Sequence, residues 1–215
     1  MPHDDDFEIE PIRGLPERPP EGERILWQGA PAAWPLARHA LSAGWVAGYF
    51  ALLALWRGAV VGAEAGATAG LVTASWYVAI GALAVGVLAA MAWAMARATV
   101  YTLTTERIVM RIGAALTLTV NLPYRWIDSA DLRMNRDGTG SIELALKGDN
   151  KLSYLVLWPH VRPWSIGRPR PALRCLPDAR EAAAILGAAA SARIAEIAAA
   201  PDLPQADVAR PVAAE

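Results

Sequence analysis

Two long stretches of the chain are almost purely apolar. No charged residue lies between residues 40 and 56, and none lies between residues 65 and 96. Each stretch is long enough for a helix that crosses a hydrocarbon core of about 30 Å. A buried helix of a soluble protein is the alternative, but such a helix normally keeps a polar face. The pattern therefore predicts a hairpin of two transmembrane helices over residues 34–97.

Tryptophans lie near the ends of both stretches. Trp34 and Trp56 bracket the first stretch, and Trp76 and Trp93 lie near the ends of the second. At a rise of 1.5 Å per residue, roughly 33 Å and roughly 25 Å of helix separate the two pairs. We expect all four to anchor the helices at the membrane–water interfaces, because an indole ring is apolar while its N–H stays hydrated.

Arginines flank the predicted hairpin, whereas its connecting loop, about residues 58–70, contains no Lys or Arg. The positive-inside rule then places both termini in the cytoplasm. Residues 1–20 are acidic and Pro-rich, so we expect no signal peptide there. The flanking arginines are Arg18, Arg24, Arg38, Arg97, Arg107 and Arg111.

After residue 97, apolar and polar residues alternate over short segments, as in Leu116 to Asn121. Alternation with a period of two is typical of strands with one buried face. A helix is predicted over residues 178–199, with Asp178 as its N-cap. Short strands followed by one long helix indicate a small seven-stranded barrel or split sandwich closed by that helix. The predicted strands are 98–104, 107–112, 116–121, 126–133, 141–147, 152–158 and 172–176.

These patterns divide the chain into four parts. Residues 1–33 form a Pro-rich cytoplasmic arm, residues 34–97 the hairpin, residues 98–199 a cytoplasmic domain, and residues 200–215 a disordered tail. Lys and Arg (20) nearly balance Asp and Glu (21), so no basic field points to nucleic acid. The single cysteine, Cys175, excludes an internal disulfide and a four-cysteine zinc site.

Several motifs of the predicted cytoplasmic domain resemble the bacterial pleckstrin-homology-like (PH-like) domain. They are YTLTTERIV at residues 101–109, Gly113, IDS at 127–129 and GTGSI at 138–142. Three further segments resemble the PuhB-type photosynthetic complex assembly proteins of purple bacteria. These segments are GLPERPPEGERILWQG at residues 14–29, GYFALLALWR at 48–57 and WPHVRPW at 158–164.

The resemblance implies a PH-like domain behind a membrane hairpin, in the intracytoplasmic part of the inner membrane. It also implies a non-enzymatic assembly factor that transiently binds subunits of the reaction centre and its core light-harvesting antenna. Members with three membrane spans are known, whereas the sequence here predicts two. The alternative is a membrane-anchored PH-like module that senses lipid headgroups or envelope stress.

Small residues recur at four-residue spacing on both predicted membrane helices. Such ridges let helix backbones approach closely, so they can hold a partner or a second copy of the chain. The alternative is that the two helices pack only on each other through these ridges. The candidate ridge residues are Gly44, Gly48, Ala82, Gly86 and Ala90.

His39 is a weak candidate ligand for the magnesium of a bacteriochlorophyll, and the alternative is an interfacial histidine beside Arg38. No cofactor or metal is otherwise expected, because the three histidines lie far apart in the sequence and no phosphate-binding glycine loop is present.

The irregular segment 158–171 is a candidate partner loop, because loops of this length in compact domains are often functional. Its arginines and tryptophan suit anionic headgroups or the cytoplasmic face of a partner. The alternative is a loop that folds back over the sheet with Trp164 as its plug. The candidate residues are His160, Arg162, Trp164, Arg168 and Arg170.

Overall fold

The structure is a computed structural model that describes residues 12–113, 117–148 and 152–199. The first eleven residues of the arm and the predicted tail 200–215 lie outside the described residues. A 3₁₀ turn at Tyr124–Trp126 precedes the strand Ile127–Met134. The elements in chain order are β1 Ile25–Gly29, α1 Ala33–His39, α2 Ala43–Ala65, α3 Ala67–Ala98, β2 Val100–Thr104, β3 Arg107–Ile112, β4 Leu118–Pro123, β5 Ile127–Met134, β6 Gly140–Leu146, α4 Tyr154–Leu157, β7 Ala172–Leu176 and α5 Ala179–Ala199.

Helices α2 and α3 form the predicted apolar hairpin, and both are long and apolar enough to cross a membrane. Only 6% and 11% of their most apolar windows are buried inside the protein. A core helix of a soluble protein would bury far more of its apolar surface, since burial is what stabilises such a helix. The exposed apolar surface of the hairpin is therefore compatible with membrane anchoring.

The connection between the two helices is much shorter than the sequence predicts. Residues 58–70 were expected to form a loop, yet α2 continues to Ala65 and α3 starts at Ala67. Gly66 alone turns the chain, with a φ of 93° that a residue with a Cβ rarely adopts. The predicted loop is thus wrong, because the small apolar residues on both sides of Gly66 are helical.

The first apolar stretch is broken near its start. Helix α1 ends at His39, and Ser42, with a φ of 59°, turns the chain before α2 begins at Ala43. Trp34 therefore lies on a different helix from Trp56, and the predicted separation of these two residues along one helix is wrong. The fully buried Leu36 and Ala37 of α1 pack in one cluster with Ala92 and Ala96 of α3 and with Cys175 of β7. Helix α1 thus bridges the hairpin and the domain.

The domain consists of two antiparallel sheets and the closing helix α5, as predicted. One sheet has the strand order β1-β2-β3-β4 and the other has the order β5-β6-β7. Alternating residues of β3, with Ile108, Met110 and Ile112 on the same face, enter the core. Helix α5 covers that core with Leu186 and with alanines at positions 179, 182 and 189.

The seventh strand comes from the arm and not from residues 152–158. Residues 25–29 pair with β2, so that Gly29 lies opposite Tyr101 and Trp27 packs against the core. The strand predicted over 152–158 is wrong, because Tyr154–Leu157 form one helical turn with backbone bonds from Leu157 to Ser153 and from Trp158 to Tyr154. Leu157 of this turn is buried in the core and Tyr154 packs against it, which a single helical turn achieves without a strand partner.

Candidate functional site

A buried arginine ties helix α1 to the domain. Arg174 of β7 donates from Nη1 to the Val161 carbonyl at 2.9 Å and from Nη2 to the His39 carbonyl at 3.2 Å. Its backbone N–H donates to the Tyr101 hydroxyl at 3.2 Å. Because the carbonyls at a helix C-terminus have no partner within the helix, the guanidinium satisfies the end of α1. One side chain thus fixes α1, β7 and the start of the 158–171 loop together.

His160 lies directly beside this arginine and is almost completely buried. Its Nδ1 contacts the Tyr101 hydroxyl at 2.5 Å, and its Nε2 contacts Thr99 Oγ1 at 3.3 Å. Burial, with a smaller contribution from the charge of Arg174, lowers the pKa of His160 to about 3. The ring is therefore neutral at physiological pH. His160 therefore belongs to the buried junction that Arg174 and Tyr101 form at the end of α1. It does not belong to the contact surface for which it was a candidate.

His39 connects the end of α1 to the turn between β5 and β6. Its Nε2 lies 2.7 Å from Asp137 Oδ2, and Asp137 Oδ1 accepts bonds from the backbone N–H and hydroxyl of Thr139. The hydrogen bond from Thr139, and to a smaller degree that from His39, lowers the pKa of Asp137 to about 2. The His39 side chain therefore contacts a carboxylate of the domain at the end of α1.

Glycines that the sequence analysis did not single out hold the hairpin together. An added Cβ at Gly70 would lie 2.5 Å from the Gly58 carbonyl oxygen and 2.8 Å from Gly62 Cα. An added Cβ at Gly81 would lie 2.6 Å from Phe50 Cβ. The two helices therefore approach backbone to backbone at Gly58-xxx-Gly62, the spacing that permits such contact in membranes.

The predicted small-residue ridges face away from the hairpin interior. An added Cβ at Gly44, Gly48 or Gly86 would meet no atom within 4 Å. Ala82 and Ala90 are also exposed. The alternative that α2 and α3 pack on each other through these ridges is therefore wrong. Both ridges are open to a neighbour in the membrane.

Three of the four exposed tryptophans of α2 and α3, namely Trp56, Trp76 and Trp93, lie at two levels, and Trp45 lies between these levels. Because Gly58 lies against Ala74 and Gly62 against Gly70, Trp56 and Trp76 are opposite each other on the two helices. Trp93 is roughly 25 Å further along α3, at 1.5 Å per residue, and Arg97 lies 5.0 Å above its ring. This separation fits two interfaces, with Trp93 and Arg97 on the side of the domain.

The 158–171 loop presents Trp164 to solvent. Trp164 is 90% exposed, so the alternative in which it plugs the sheet is wrong. At the base of the loop, the Arg162 N–H donates to the Arg170 carbonyl at 2.8 Å. The Arg162 side chain lies 3.3 Å from Glu143, that of Arg170 lies 3.9 Å from an Asp131 oxygen, and Arg168 is exposed. The structure thus brings four of the five candidate loop residues to the surface.

Distant segments are joined by Arg174, Tyr101 and Asp137, none of which was a predicted site residue. The one available signal was a charged residue inside the apolar strand of residues 172–176, because a buried charge requires partners. Among the residues that the structure describes, no group of three or more His, Cys, Asp or Glu side chains could hold a metal ion. Cys175 is buried, and this burial raises the pKa of its thiol.

Comparison with known proteins identifies a protein family whose profile matches this chain and a related protein of similar length. A family profile described as "Bacterial PH domain" matches residues 41–190. A protein of Rhodobacter capsulatus is 44% identical over 195 residues, which cover 90% of this chain and 91% of the relative. That relative is described as an uncharacterized 23.7 kDa protein in the puhA 5′ region. No solved structure matches the chain.

Proposed function

This chain belongs to the bacterial PH domain family, and we propose that it is a membrane-anchored, non-enzymatic assembly factor for the photosynthetic reaction centre and its core antenna. The observation that carries the proposal is the Rhodobacter capsulatus relative, whose description places it beside puhA, in a photosynthesis gene region. Its likeness extends over 90% of the chain and therefore includes both the hairpin and the domain. The motifs shared with PuhB-type proteins support the same role.

The hairpin supplies the membrane surface for this role. The ridges with Gly44 and Gly48 on α2 and with Gly86 on α3 face outward and allow an incoming helix to approach closely. Contacts between helices in membranes contribute only about 1 kcal/mol each. A ridge of a few such contacts therefore binds a subunit and releases it again, as an assembly factor requires.

The PH-like domain acts on the cytoplasmic side, with both termini in the cytoplasm. The arginines that flank the hairpin and the Trp93–Arg97 pair support this orientation. PH-like domains are generally non-catalytic. The buried histidine His160 is neutral and the thiol of Cys175 is not activated. Among the described residues, these two side chains therefore stabilise the contact between α1 and the domain and do not take part in catalysis.

A second candidate function is a module that senses lipid headgroups or envelope stress. The observation that favours it is the exposed loop with Trp164 and Arg168. In that case the domain would respond to lipid composition and would need no subunit of a pigment complex.

Co-purification of the tagged full-length protein from photosynthetic membranes separates the two functions. We expect reaction-centre and antenna subunits to be captured, and Gly44→Leu with Gly48→Leu to reduce the capture because the side chains hold the partner away. The matched control is Ala47→Leu with Ala51→Leu, since these exposed residues of α2 have the same spacing on a neighbouring face. Equal capture by both double variants would contradict the ridge, and no capture by the unaltered protein would favour the lipid-sensing function.

A further inference from the structure

The segment 152–171 exposes several large apolar side chains. Leu155 is 82% exposed, Trp164 is 90% exposed and Ile166 is 67% exposed. Two of these, Trp164 and Ile166, lie at the tip of the 158–171 loop. Large apolar side chains that stay in contact with water are unfavourable, so a set of them in one segment usually marks an interaction surface.

The base of this loop lies where the chain leaves the hairpin. His160 contacts Thr99, the residue directly after α3, and Val161 shares the Arg174 guanidinium with the last residue of α1. Trp164 lies three positions after Val161, a distance of at most about 10 Å along the chain. The polar interface of a bilayer is about 5–8 Å thick on each side. The loop tip therefore starts within reach of the cytoplasmic membrane surface.

The charge of the segment suits an anionic surface. Residues 152–171 contain Arg162, Arg168 and Arg170 and no acidic residue. The Arg162 and Arg170 side chains remain partly exposed although each lies near a carboxylate. Tryptophan with arginine is the combination that settles at the headgroup level, because the ring enters the interface and the guanidinium meets anionic lipid.

We propose that the tip of the 158–171 loop, with Trp164 and Ile166, docks onto the cytoplasmic surface of the bilayer that holds the hairpin. The occupant of this surface is anionic lipid and not a protein. Loop docking gives the domain a second attachment beside the helices and fixes its orientation towards the membrane. The inference rests on the membrane anchoring proposed above and is independent of the assembly role.

The test uses the full chain in nanodiscs that contain only lipid. With Cys175 replaced by alanine, a fluorophore sensitive to polarity is attached through Ile166→Cys. The matched control is Lys147→Cys, since Lys147 is exposed and lies at the end of β6, away from the hairpin. We compare neutral nanodiscs with nanodiscs that contain anionic lipid, and in each we add a lipid that carries a quencher near its headgroup.

We expect the label at position 166 to emit at shorter wavelength and to lose most of its emission to the quencher, more strongly with anionic lipid. The label at position 147 should remain water-like throughout. A water-like, unquenched label at position 166 would overturn the docking, as would a shift that requires photosynthetic membranes with their protein complexes. Failure of the protein to enter nanodiscs would overturn the anchoring itself and this inference with it. Because pure lipid contains no photosynthetic subunit, the result does not depend on the assembly role.

Discussion

Replacing Gly70 by leucine should separate the two helices of the hairpin. An added Cβ would lie 2.5 Å from the Gly58 carbonyl oxygen, whereas ordinary contacts are 3.4–4 Å. Both neighbours of Gly70, at Gly58 and Gly62, are backbone atoms, so no side-chain rotation relieves the overlap. The helices must move apart by about 1 Å, which weakens the dispersion contacts on either side. We expect the free energy of unfolding to fall by about 1–3 kcal/mol, the usual effect of overpacking.

The measurement is reversible unfolding of the full-length protein in mixed micelles, followed by circular dichroism. Gly86→Leu provides the matched control, because it places the same side chain on the same helix where an added Cβ meets nothing within 4 Å. The control should change the free energy of unfolding by less than about 0.5 kcal/mol. Equal destabilisation by the two variants would refute the packing of α3 on α2 through Gly70.

Three further predictions concern the junction and the topology. In the folded protein the pKa of His160 is about 3, whereas in the unfolded chain its imidazole binds a proton near pH 6.5. The free energy of unfolding should therefore fall as the pH drops from 6.5 towards 3, by at most about 1.4 kcal/mol per pH unit. Thermal melts over this range should show a flatter dependence for His160→Gln, and an unchanged slope would contradict the burial of a neutral ring. Arg174→Met should lower stability by about 1–3 kcal/mol, because two carbonyls lose their donor; a thermal midpoint equal to that of the unaltered protein would speak against the junction. A cysteine introduced at Glu64 should react with an impermeant reagent outside intact cells while one introduced at the exposed Lys147 should not, and the opposite pattern would reverse the orientation.

The elements that the sequence predicted correctly are those with a single dominant pattern. Both long apolar helices appear because almost no charge interrupts them. Strand β3 has the predicted bounds, since Ile108 and Met110 alternate with residues of the other face. Strand β7 also has the predicted bounds, at residues 172–176. In each case local periodicity and burial agree, so no distant contact was needed to decide the structure.

The secondary-structure predictions were wrong where a contact with a distant segment decides the structure. Strand β1 forms because β2 offers an open edge for residues 25–29, and a Pro-rich arm gives no local sign of that edge. Residues 152–158 are rich in strand-forming residues, yet Pro159 follows and Leu157 is the only residue among them that is fully buried in the core. The break at Ser42 was invisible for a similar reason, because apolar residues continue on both sides of it.

The sequence predicted which small residues form ridges on the two helices, but not whether each ridge faces the other helix or the outside of the hairpin. Small-residue spacing identified ridges on both helices, but spacing alone does not tell which side of a helix meets its neighbour. The structure assigns the interior to Gly58, Gly62 and Gly70 and leaves Gly44 and Gly48 outside. The Arg174 network joins residues that are up to 135 positions apart, so no local pattern could have revealed it.

The most direct test of the proposed role is the amount of reaction centre–core antenna complex in membranes of a strain that lacks this protein. We predict that absorption spectra and quantitative blots show less assembled complex, while pigment synthesis continues, because the proposed role is to bind subunits and not to catalyse a step. Restoring the unaltered gene should restore the complex. Normal complex levels and normal photosynthetic growth in the deletion strain would contradict the assembly role.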